Sequence, residues 1–155
     1  MITVKEVMTR NVITFREDTP IEEVASTLSK KRITGAPVVA SEGHVVGIVS
    51  ETDVFSKKGK TAREIMSSRV ISVTEETGID EAARLLIGEH IRRVPVIRGG
   101  KMVGLLSRSD VLDFFAKTRW ECNVCGWWER GLEKPERCHS CSSTDLRLER
   151  ADPGH

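Results

Sequence analysis

The sequence predicts a mixed α/β (α+β) fold, with two β-α-β-β-α repeats followed by a small metal-stapled β ribbon. Three observations lead to this prediction. A segment of about fifty residues occurs twice, strand-like and helix-like patterns alternate inside each copy, and all four cysteines of the 155-residue chain fall between Cys122 and Cys141. We therefore expect three domains, at residues 1–58, 59–117 and 118–155.

The repeat is recognised from matching residues at a constant spacing. Met8 aligns with Met66 at an offset of 58 residues, and Asp53 aligns with Asp110 at an offset of 57 after a one-residue gap. Many matches in one register do not arise by chance. Since neither copy has enough apolar residues for a core of its own, we expect the copies to depend on each other for burial.

The first half of each copy predicts a strand and then a helix. Short β-rich runs occupy residues 12–15 and 70–73. Apolar residues then recur every three or four positions, as on the buried face of a helix. Thr19 and Pro20 predict a threonine cap with proline at the first helical position, and Thr77 heads a looser version in the second copy.

The second half of each copy predicts a hairpin and a second helix. Turn residues join two strands in each copy, at residues 36–40 with 45–49 and at residues 94–98 with 101–106. The second helix begins near Asp53 and near Asp110. Residues 56–62, which carry lysines and a glycine, are expected to be a plain solvated linker.

Both copies place two hydroxyl groups and a carboxylate between a strand and a helix. These residues are Ser50, Thr52 and Asp53, and Ser107, Ser109 and Asp110. A helix N-terminus favours an anion, and a carboxylate can accept two hydrogen bonds from a vicinal diol, so ribose with phosphate would use both features. The alternative is that each Ser-x-x-Asp turn is an ordinary helix cap.

Several linked motifs of the repeat resemble a known family. Met-Thr precedes a Val-Ile-Thr run, the strand Gly35 to Val39 reads Gly-Ala-Pro-Val-Val, and Gly47 begins Gly-Ile-Val-Ser-x-x-Asp. The pattern is similar to the CBS domain, named for cystathionine β-synthase, and covers about residues 4 to 117 as a tandem, or Bateman, module. The resemblance implies two copies packed sheet against sheet with pseudo-twofold symmetry, and a disc-like homodimer of two such modules.

The same resemblance implies two clefts for adenosine compounds such as AMP, ADP, ATP or S-adenosylmethionine. One cleft would use Ile13, Gly35, Ala36 and Pro37 near adenine, with Ser107, Ser109 and Asp110 holding phosphate and ribose. The other would use Ile71, Arg93, Val94 and Pro95, with Ser50, Thr52 and Asp53.

The two copies differ at the expected adenine side. The second has Arg92-Arg93-Val94 where the first has Thr34-Gly35-Ala36, so we expect unequal occupancy. Arg92, Arg93 and Arg108 are candidate phosphate partners because a guanidinium binds phosphate in a bidentate manner, and the alternative is that they are solvated surface charges. His90 is expected to lie on the surface.

Four cysteines predict a closed metal site. Cys122 and Cys125 form one CxxC turn, and Cys138 and Cys141 form a second. Two such turns complete a tetrahedral site of four thiolates, as in structural zinc sites. Trp120 to Trp127 also resembles the rubredoxin-type knuckle at the end of rubrerythrins, so iron is the alternative metal; a redox dithiol and disulfides are further alternatives.

We expect the other residues of the knuckle to play structural parts. His139 is expected to point away from the metal, because four sulfurs already suffice. Trp120, Trp127 and Trp128 are expected to cap the metal loops or to dock the ribbon on the repeats. About thirty residues are too few to fold on apolar burial alone, so metal binding should contribute most of their stability.

Charge and hydropathy exclude several classes of function. The chain has 24 basic and 23 acidic side chains, and from Ala116 onward the two kinds are equal at seven each, which disfavours nucleic acid as a partner. No apolar run is long enough to cross a bilayer, and the N-terminus lacks the apolar core of a signal peptide, so we expect no membrane contact and a cytoplasmic location.

The sequence contains no nucleophile–base pair and no phosphate-cradling glycine loop, so we do not expect an enzyme. The leading hypothesis is a regulatory sensor of an adenosine ligand, acting on an unidentified regulated protein through its ribbon. The alternatives are an electron-transfer protein with an iron-loaded knuckle and a ribbon-directed nucleic-acid binder.

Overall fold

A computed structural model of the chain describes residues 1–150; the last five residues of the predicted ribbon, 151–155, lie outside the described residues. The helices are α1 (Val4–Val7), α2 (Ile21–Lys31), α3 (Glu51–Ser56), α4 (Ala62–Ile65), α5 (Ile79–Gly88) and α6 (Arg108–Lys117). The strands are β1 (Phe15–Arg16), β2 (Gly35–Val39), β3 (Val45–Ser50), β4 (Arg93–Arg98), β5 (Lys101–Ser107), β6 (Thr118–Cys122), β7 (Trp128–Glu129) and β8 (Leu146–Arg150). No helix within residues 1–150 combines the length and the apolar character needed to span a bilayer.

The predicted mixed α/β class is confirmed. β1 pairs in parallel with β2, β2 pairs in antiparallel with β3, β4 and β5 form a hairpin, and β7-β6-β8 form a separate three-stranded ribbon sheet. Gly99 and Gly100 form the turn of the second hairpin with φ angles of 60° and 80°. Two consecutive residues in the left-handed region are what a tight hairpin turn requires, and glycine adopts them without strain.

The chain divides into two compact units that do not follow the linear order of the repeats. Unit 1 contains residues 1–8, 75–93 and 106–150, and unit 2 contains residues 9–74 and 94–105. The linear domain limits expected from the sequence stay a prediction.

A reciprocal exchange of hydrogen bonds accounts for this division. The segment that opens each repeat pairs with the start of the long helix in the other repeat. Equivalent hydrogen bonds form in both places, between residues whose numbers differ by 58. The backbone pairs are Val4 to Thr77 and Ile79 to Ile2 in unit 1, and Ala62 to Thr19 and Ile21 to Lys60 in unit 2. Each repeat therefore provides backbone donors and acceptors that the other needs.

A second exchange lies inside unit 2. Ser67 and Ile48 exchange two backbone hydrogen bonds of 2.9 and 3.0 Å, and Thr9 and Leu105 exchange two of 2.9 Å. Gly47 permits this approach, because a Cβ at its position would lie 2.4 Å from Sδ of Met66 and 2.9 Å from the carbonyl oxygen of Ser67. The glycine of the Gly-Ile-Val-Ser motif is therefore a close-packing residue.

The predicted linker at residues 56–62 is only partly solvated. Ala62 is fully buried, Thr61 forms a β-bridge with Pro20, and the ammonium group of Lys57 donates to the carbonyl of Ile65 at 3.1 Å. The expectation of a plain linker was wrong at the end of this segment, because Ala62 begins the second repeat inside a core and Lys60 accepts a hydrogen bond from the first residue of α2. The short helix α4 and its counterpart α1 were not predicted, although a Thr-x-x-Glu signal precedes each, at Thr61 and Thr3.

The predicted first strand of each copy is much shorter than expected. Only Phe15–Arg16 forms a strand in the first copy, and the second copy has a single parallel bridge between Val73 and Val96. Val73 bonds to the residues on either side of Val96. Continuing either ladder two residues earlier would need an N–H from Pro37 or Pro95, and proline has none.

The predicted threonine cap of the first long helix was also wrong. α2 begins at Ile21 with Pro20 as its N-cap residue, and the hydroxyl of Thr19 accepts a 3.0 Å hydrogen bond from the N–H of Arg16. Ile21 donates its N–H to the carbonyl of Lys60, which satisfies this helix end from a distant segment. α5 begins in the same way, with Gly78 as its N-cap residue.

The first repeat packs around a continuous apolar cluster. Its buried members come from β1, α2, β2, β3 and α4, and they are Phe15, Val24, Leu28, Ala36, Val38, Val49, Ala62 and Ile65. Because Ala62 and Ile65 belong to the second repeat in sequence, this core is shared between the repeats. The turn that follows β3 is therefore placed by a core to which both repeats contribute.

Candidate functional site

The turn between β3 and α3 is a complete capping box. Ser50 is the N-cap residue: its hydroxyl accepts from the N–H of Asp53 at 3.2 Å, and Oδ2 of Asp53 accepts from the N–H of Ser50 at 2.9 Å. The other carboxylate oxygen of Asp53 lies 2.9 Å from the ammonium group of Lys57, a partner that the sequence analysis missed although i, i+4 spacing indicates it. Thr52 lies in the first turn with its side chain exposed.

The turn between β5 and α6 repeats this geometry. The hydroxyl of Ser107 accepts from the N–H of Asp110 at 3.1 Å, and Oδ2 of Asp110 accepts from the N–H of Ser107 at 3.0 Å. The hydroxyls of Ser107 and Ser109 lie 2.8 Å apart. Both predicted second helices therefore begin two residues earlier than expected, at Glu51 and Arg108, and both aspartates are the third helical residue.

Sheet register places the expected adenine residues of the first copy beside its own turn. Gly35 pairs with Ser50 and Ala36 pairs with Val49, and both Gly35 and Ala36 are buried. The N–H of Glu51 donates to the carbonyl of Thr34 at 2.9 Å. The start of β2 and the start of α3 therefore form one continuous edge.

The second copy repeats this edge with bulkier side chains. The N–H of Arg108 donates to the carbonyl of Arg92 at 2.9 Å, as Glu51 does to Thr34. Arg93 is half-buried and already engaged in contacts, whereas Val94 and Pro95 are buried. The predicted difference between the copies is thus located at the end of a buried strand.

Ile13 and Ile71 lie where the parallel ladders stop. Both side chains are half-buried. If the register of Phe15 with Val38 is extended by two residues, Ile13 falls opposite Ala36, and the bridge between Val73 and Val96 extended in the same way puts Ile71 opposite Val94. Because Pro37 and Pro95 cannot donate to the carbonyls of these isoleucines, each carbonyl is left as an acceptor at the strand edge.

Of the candidate phosphate-binding arginines, Arg108 has a clear structural partner set. Its Nε donates to the carbonyl of Ile91 at 2.8 Å, and its Nη2 donates to the carbonyl of Leu86 at 3.1 Å. These contacts cap the C-terminal end of α5, whose last carbonyls have no partner within the helix. His90, beyond this helix, has a φ of 54° and an exposed side chain.

The four cysteines lie together in the ribbon. Their sulfur atoms all lie within 4.8 Å of one another, and Cys122 and Cys141, like Cys125 and Cys138, are 3.6 Å apart. Four thiolates around one metal ion at about 2.3 Å are separated by about 3.8 Å in a tetrahedron. The cluster therefore fits a single tetrahedrally coordinated metal ion, which would join the two turns and close the loop between them.

The backbone around the cysteines is that of two matching knuckles. The N–H of Val124 donates to Sγ of Cys122 at 3.4 Å, and the N–H of Ser140 donates to Sγ of Cys138 at 3.3 Å. Gly126 and Ser142, the residues that follow each turn, have φ angles of 80° and 65°. The two CxxC turns have folded in the same way, with amide groups directed at the sulfurs.

These contacts give the thiols of Cys122 and Cys141 different pKa values. The backbone N–H of Cys125, and then that of Val124, lower the pKa of Cys122 to about 6 despite desolvation. The N–H of Ser143 acts in the same direction on Cys141, but desolvation and the three neighbouring thiols raise its pKa to about 12. Four sulfurs this close cannot all be negatively charged unless a cation lies between them.

Aromatic and charged residues surround the metal cluster. His139 contacts the ring of Trp127 at a centroid distance of 5.4 Å, and its Nε2 lies 3.4 Å from a carboxylate oxygen of Glu129. Trp128 lies under the guanidinium groups of Arg119 and Arg130, at 4.6 and 5.6 Å from its ring centre. The apolar core of the ribbon consists of Cys122, Cys138 and Leu146. This apolar core is small for a sheet of three strands.

Comparison with known proteins agrees with the repeated architecture. The model of the CBS domain family matches the chain twice, over residues 4–59 and 62–117. The protein MJ1225 of Methanocaldococcus jannaschii is 29% identical over 115 residues, which cover 70% of this chain and 41% of that protein. In three further curated relatives the matched part covers between 22% and 61% of the relative, so this chain corresponds to only part of them.

Two solved structures have the same fold. CBSX2 of Arabidopsis thaliana, in complex with AMP, has a TM-score of 0.70 and 29% identity, over 73% of this chain and 95% of that one. The CBS domain pair of MJ0100, in complex with 5'-methylthioadenosine and S-adenosylmethionine, has a TM-score of 0.68 and 30% identity, over 73% and 94%. The chain therefore belongs to the CBS domain family and carries the domain twice, followed by a four-cysteine ribbon.

Proposed function

We propose that this chain is a regulatory, non-catalytic module that binds an adenosine-containing ligand of the AMP, ADP, ATP or S-adenosylmethionine type. The observation that carries the proposal is the matched pair of Ser-x-x-Asp turns, each on a strand edge beside buried strand residues. The ligands bound to CBSX2 and to the MJ0100 pair support this class of small molecule.

The carboxylates of the two turns are proposed to bind ribose. At Asp53, Oδ2 is already occupied by the capping box, so the second oxygen is the one that a ribose hydroxyl would approach, and we propose the same ligand for the carboxylate of Asp110. At Asp53 this oxygen contacts Lys57, whose side chain is 44% exposed. If a ribose hydroxyl takes the place of the Lys57 ammonium group on Asp53, Lys57 can turn toward a phosphate. Thr52 and Ser109 offer a hydroxyl group beside each aspartate.

The carbonyls of Ile13 and Ile71 are proposed to accept the amino group of adenine. Each lies at the point where a proline interrupts the parallel ladder, so the backbone offers an acceptor without a donor from its own sheet. Gly35 and Ala36 leave more room at this edge than Arg93 and Val94. We therefore propose unequal affinity at two ligand sites, whose full residue sets stay a prediction from the sequence.

Calorimetry tests the proposal. The full chain is titrated with AMP, ADP, ATP and S-adenosylmethionine, with inosine monophosphate as a control that lacks the adenine amino group. Binding of one adenosine compound, with weaker binding of the inosine analogue, is expected because the proposed carbonyl contact needs that amino group. Absence of binding by all four compounds at millimolar concentration would exclude the proposal.

The metal is proposed to be zinc with a structural role, because four thiolates complete its coordination and leave no open position for a substrate. Iron in the same cage is the alternative, and would make the ribbon an electron-transfer centre. Elemental analysis of protein purified without added metal distinguishes the two. Colourless protein with one zinc per chain supports the first, and a coloured, reducible iron centre supports the second.

We further propose that two copies of the chain form a homodimer and that the module acts on a separate regulated protein in the cytoplasm. Exposed apolar side chains on α5 and α6, among them Ile87 at 67% and Leu112 at 68%, provide surface for a second copy. Analytical ultracentrifugation of wild type and of Leu112→Glu tests the dimer. A wild-type monomer at tens of micromolar would contradict it.

A further inference from the structure

A short segment of the ribbon, Arg130 to Glu133, contacts the helices of unit 1. Its Arg130 donates from Nη1 to the carbonyls of Ala116 and Thr118, at 3.0 and 2.8 Å. These carbonyls belong to the last turn of α6 and to its C-cap, where no partner exists within the helix. We call residues 130–133 the latch segment. Its arginine caps α6 from outside, as Arg108 caps α5.

The latch segment also reaches α5. Leu132 lines an apolar groove of about 450 Å³ together with residues of both helices, namely Ala83, Leu86, Ile87, Arg108, Val111, Leu112 and Phe115. Glu133 pairs with Arg84 at 3.2 Å, and Arg84 also pairs with Asp80. The ion pair is exposed on both sides and contributes little. The two hydrogen bonds from Arg130 are therefore the main contacts between the latch segment and the helices, and Leu132 faces the groove beside them.

The position of the segment in the chain links these contacts to the metal. Residues 130–133 lie between Cys125 and Cys138, inside the loop that a metal ion on the four cysteines would close. The Nε1 of Trp120 donates to the carbonyl of Gly131 at 3.1 Å, which fixes the segment to β6. Because the ribbon has so small a core of its own, the loop holds this shape only while the two CxxC turns are joined.

α6 connects the latch segment to the candidate ligand turn. The helix begins with the capping box of Ser107 and Asp110 and ends at the carbonyls that Arg130 caps. Release of the latch segment would free the last turn of a helix of only ten residues, which is marginal without tertiary contacts.

We propose that the latch segment couples metal binding in the ribbon to the order of α6, and through α6 to ligand binding at the Ser107–Asp110 turn. Coupling of two binding events is reciprocal, so metal and ligand each bind more tightly when the other is present. The ligand part rests on the proposed function, whereas the part that joins the metal to α6 does not.

Hydrogen exchange of the full chain tests the part that concerns α6. Exchange is followed by mass spectrometry for metal-loaded wild type, chelator-treated wild type and Arg130→Gln. Amides in the last turns of α6 should exchange about fivefold faster in the last two samples, as expected from the loss of the capping hydrogen bonds. Arg137→Gln is the matched control, because within residues 1–150 the guanidinium of Arg137 hydrogen-bonds inside the ribbon, to the carbonyl of Ser142 at 3.4 Å. Helix α2, in unit 2, is the internal reference.

Faster exchange in α6 with unchanged α2 supports the proposal. Unchanged exchange in α6, equal acceleration in α2, or the same acceleration in Arg137→Gln overturns it. AMP titration then tests the ligand part: the chelated protein should lose affinity at the site that Asp110→Ala removes, and unchanged affinity there overturns that part. If AMP and the other adenosine compounds do not bind wild type, the proposed function and the ligand part both fail, and the exchange result alone decides the coupling of metal to helix.

Discussion

The backbone N–H of Val4 donates a 2.8 Å hydrogen bond to the carbonyl of Thr77, and 58 residues further on Ala62 donates one of 2.9 Å to Thr19. Each bond joins the opening segment of one repeat to the start of the long helix in the other. The two repeats therefore exchange equivalent hydrogen bonds, and each repeat contributes to the fold of the other.

Shortening Val4 tests this dependence. Val4 is fully buried, so Val4→Ala should lower the free energy of unfolding by about 2 kcal/mol through lost burial and a cavity. Val7→Ala, on the same helix but only half-buried, should cost clearly less. Urea denaturation followed by circular dichroism gives both values. Equal costs would show that α1 is not specifically packed.

Gly47 and Gly88 differ in the space available for a side chain, so replacing each by alanine gives a controlled comparison. Gly47→Ala would bring a Cβ to 2.4 Å from Sδ of Met66 and 2.9 Å from the carbonyl oxygen of Ser67, so we expect a loss of about 2 kcal/mol. Gly88 has no neighbour within 4 Å of an added Cβ and lies in a helix, so Gly88→Ala should stabilise by up to about 1 kcal/mol. Thermal unfolding should move in opposite directions for the two variants, and a shift in the same direction would contradict the structure.

The aspartates of the capping boxes should have two separable roles. Asp53→Ala and Asp110→Ala should each lower stability by about 1 kcal/mol through loss of the cap, and each should remove one of two AMP sites. Asp113→Ala is the control, since Asp113 is an exposed residue of α6 that pairs with Lys117 at 2.9 Å and takes no part in either capping box. Calorimetric stoichiometry is the measurement. If both variants keep full stoichiometry, the Ser-x-x-Asp turns are helix caps alone.

Loss of one cysteine should release the metal without unfolding the repeats. Cys138→Ser should reduce the metal content from about one ion per chain to near zero and unfold the ribbon, because three thiolates hold the ion poorly and the apolar core is small. His139→Ala should keep the metal, since His139 contacts Trp127 and Glu129. Elemental analysis and tryptophan fluorescence report the two effects. Retention of the metal by Cys138→Ser would argue against a site of four thiolates.

Much of the local structure was predictable because it depends on residues close together in the chain. Helical spacing of apolar residues indicated α2 and α5, and the paired glycines at 99 and 100 indicated the second hairpin. The two CxxC turns indicated the metal cluster, since four thiolates can satisfy one tetrahedral ion. The errors occurred where a distant segment supplied the partner. Thr19 was predicted to cap α2, but the N-cap residue is Pro20 and the N–H of Ile21 donates to the carbonyl of Lys60.

The sequence alone was enough to show that one unit is repeated, that its polar turns recur, and that four cysteines could hold a metal. The three-dimensional fold was needed to show that the opening segment of each repeat bonds to the other repeat, and that Arg130, between the two CxxC turns, caps α6. The difference comes from the range over which the interactions act. Periodicity and turn chemistry act within a few residues, whereas unsatisfied backbone groups at helix and strand ends accept any partner that the fold brings near.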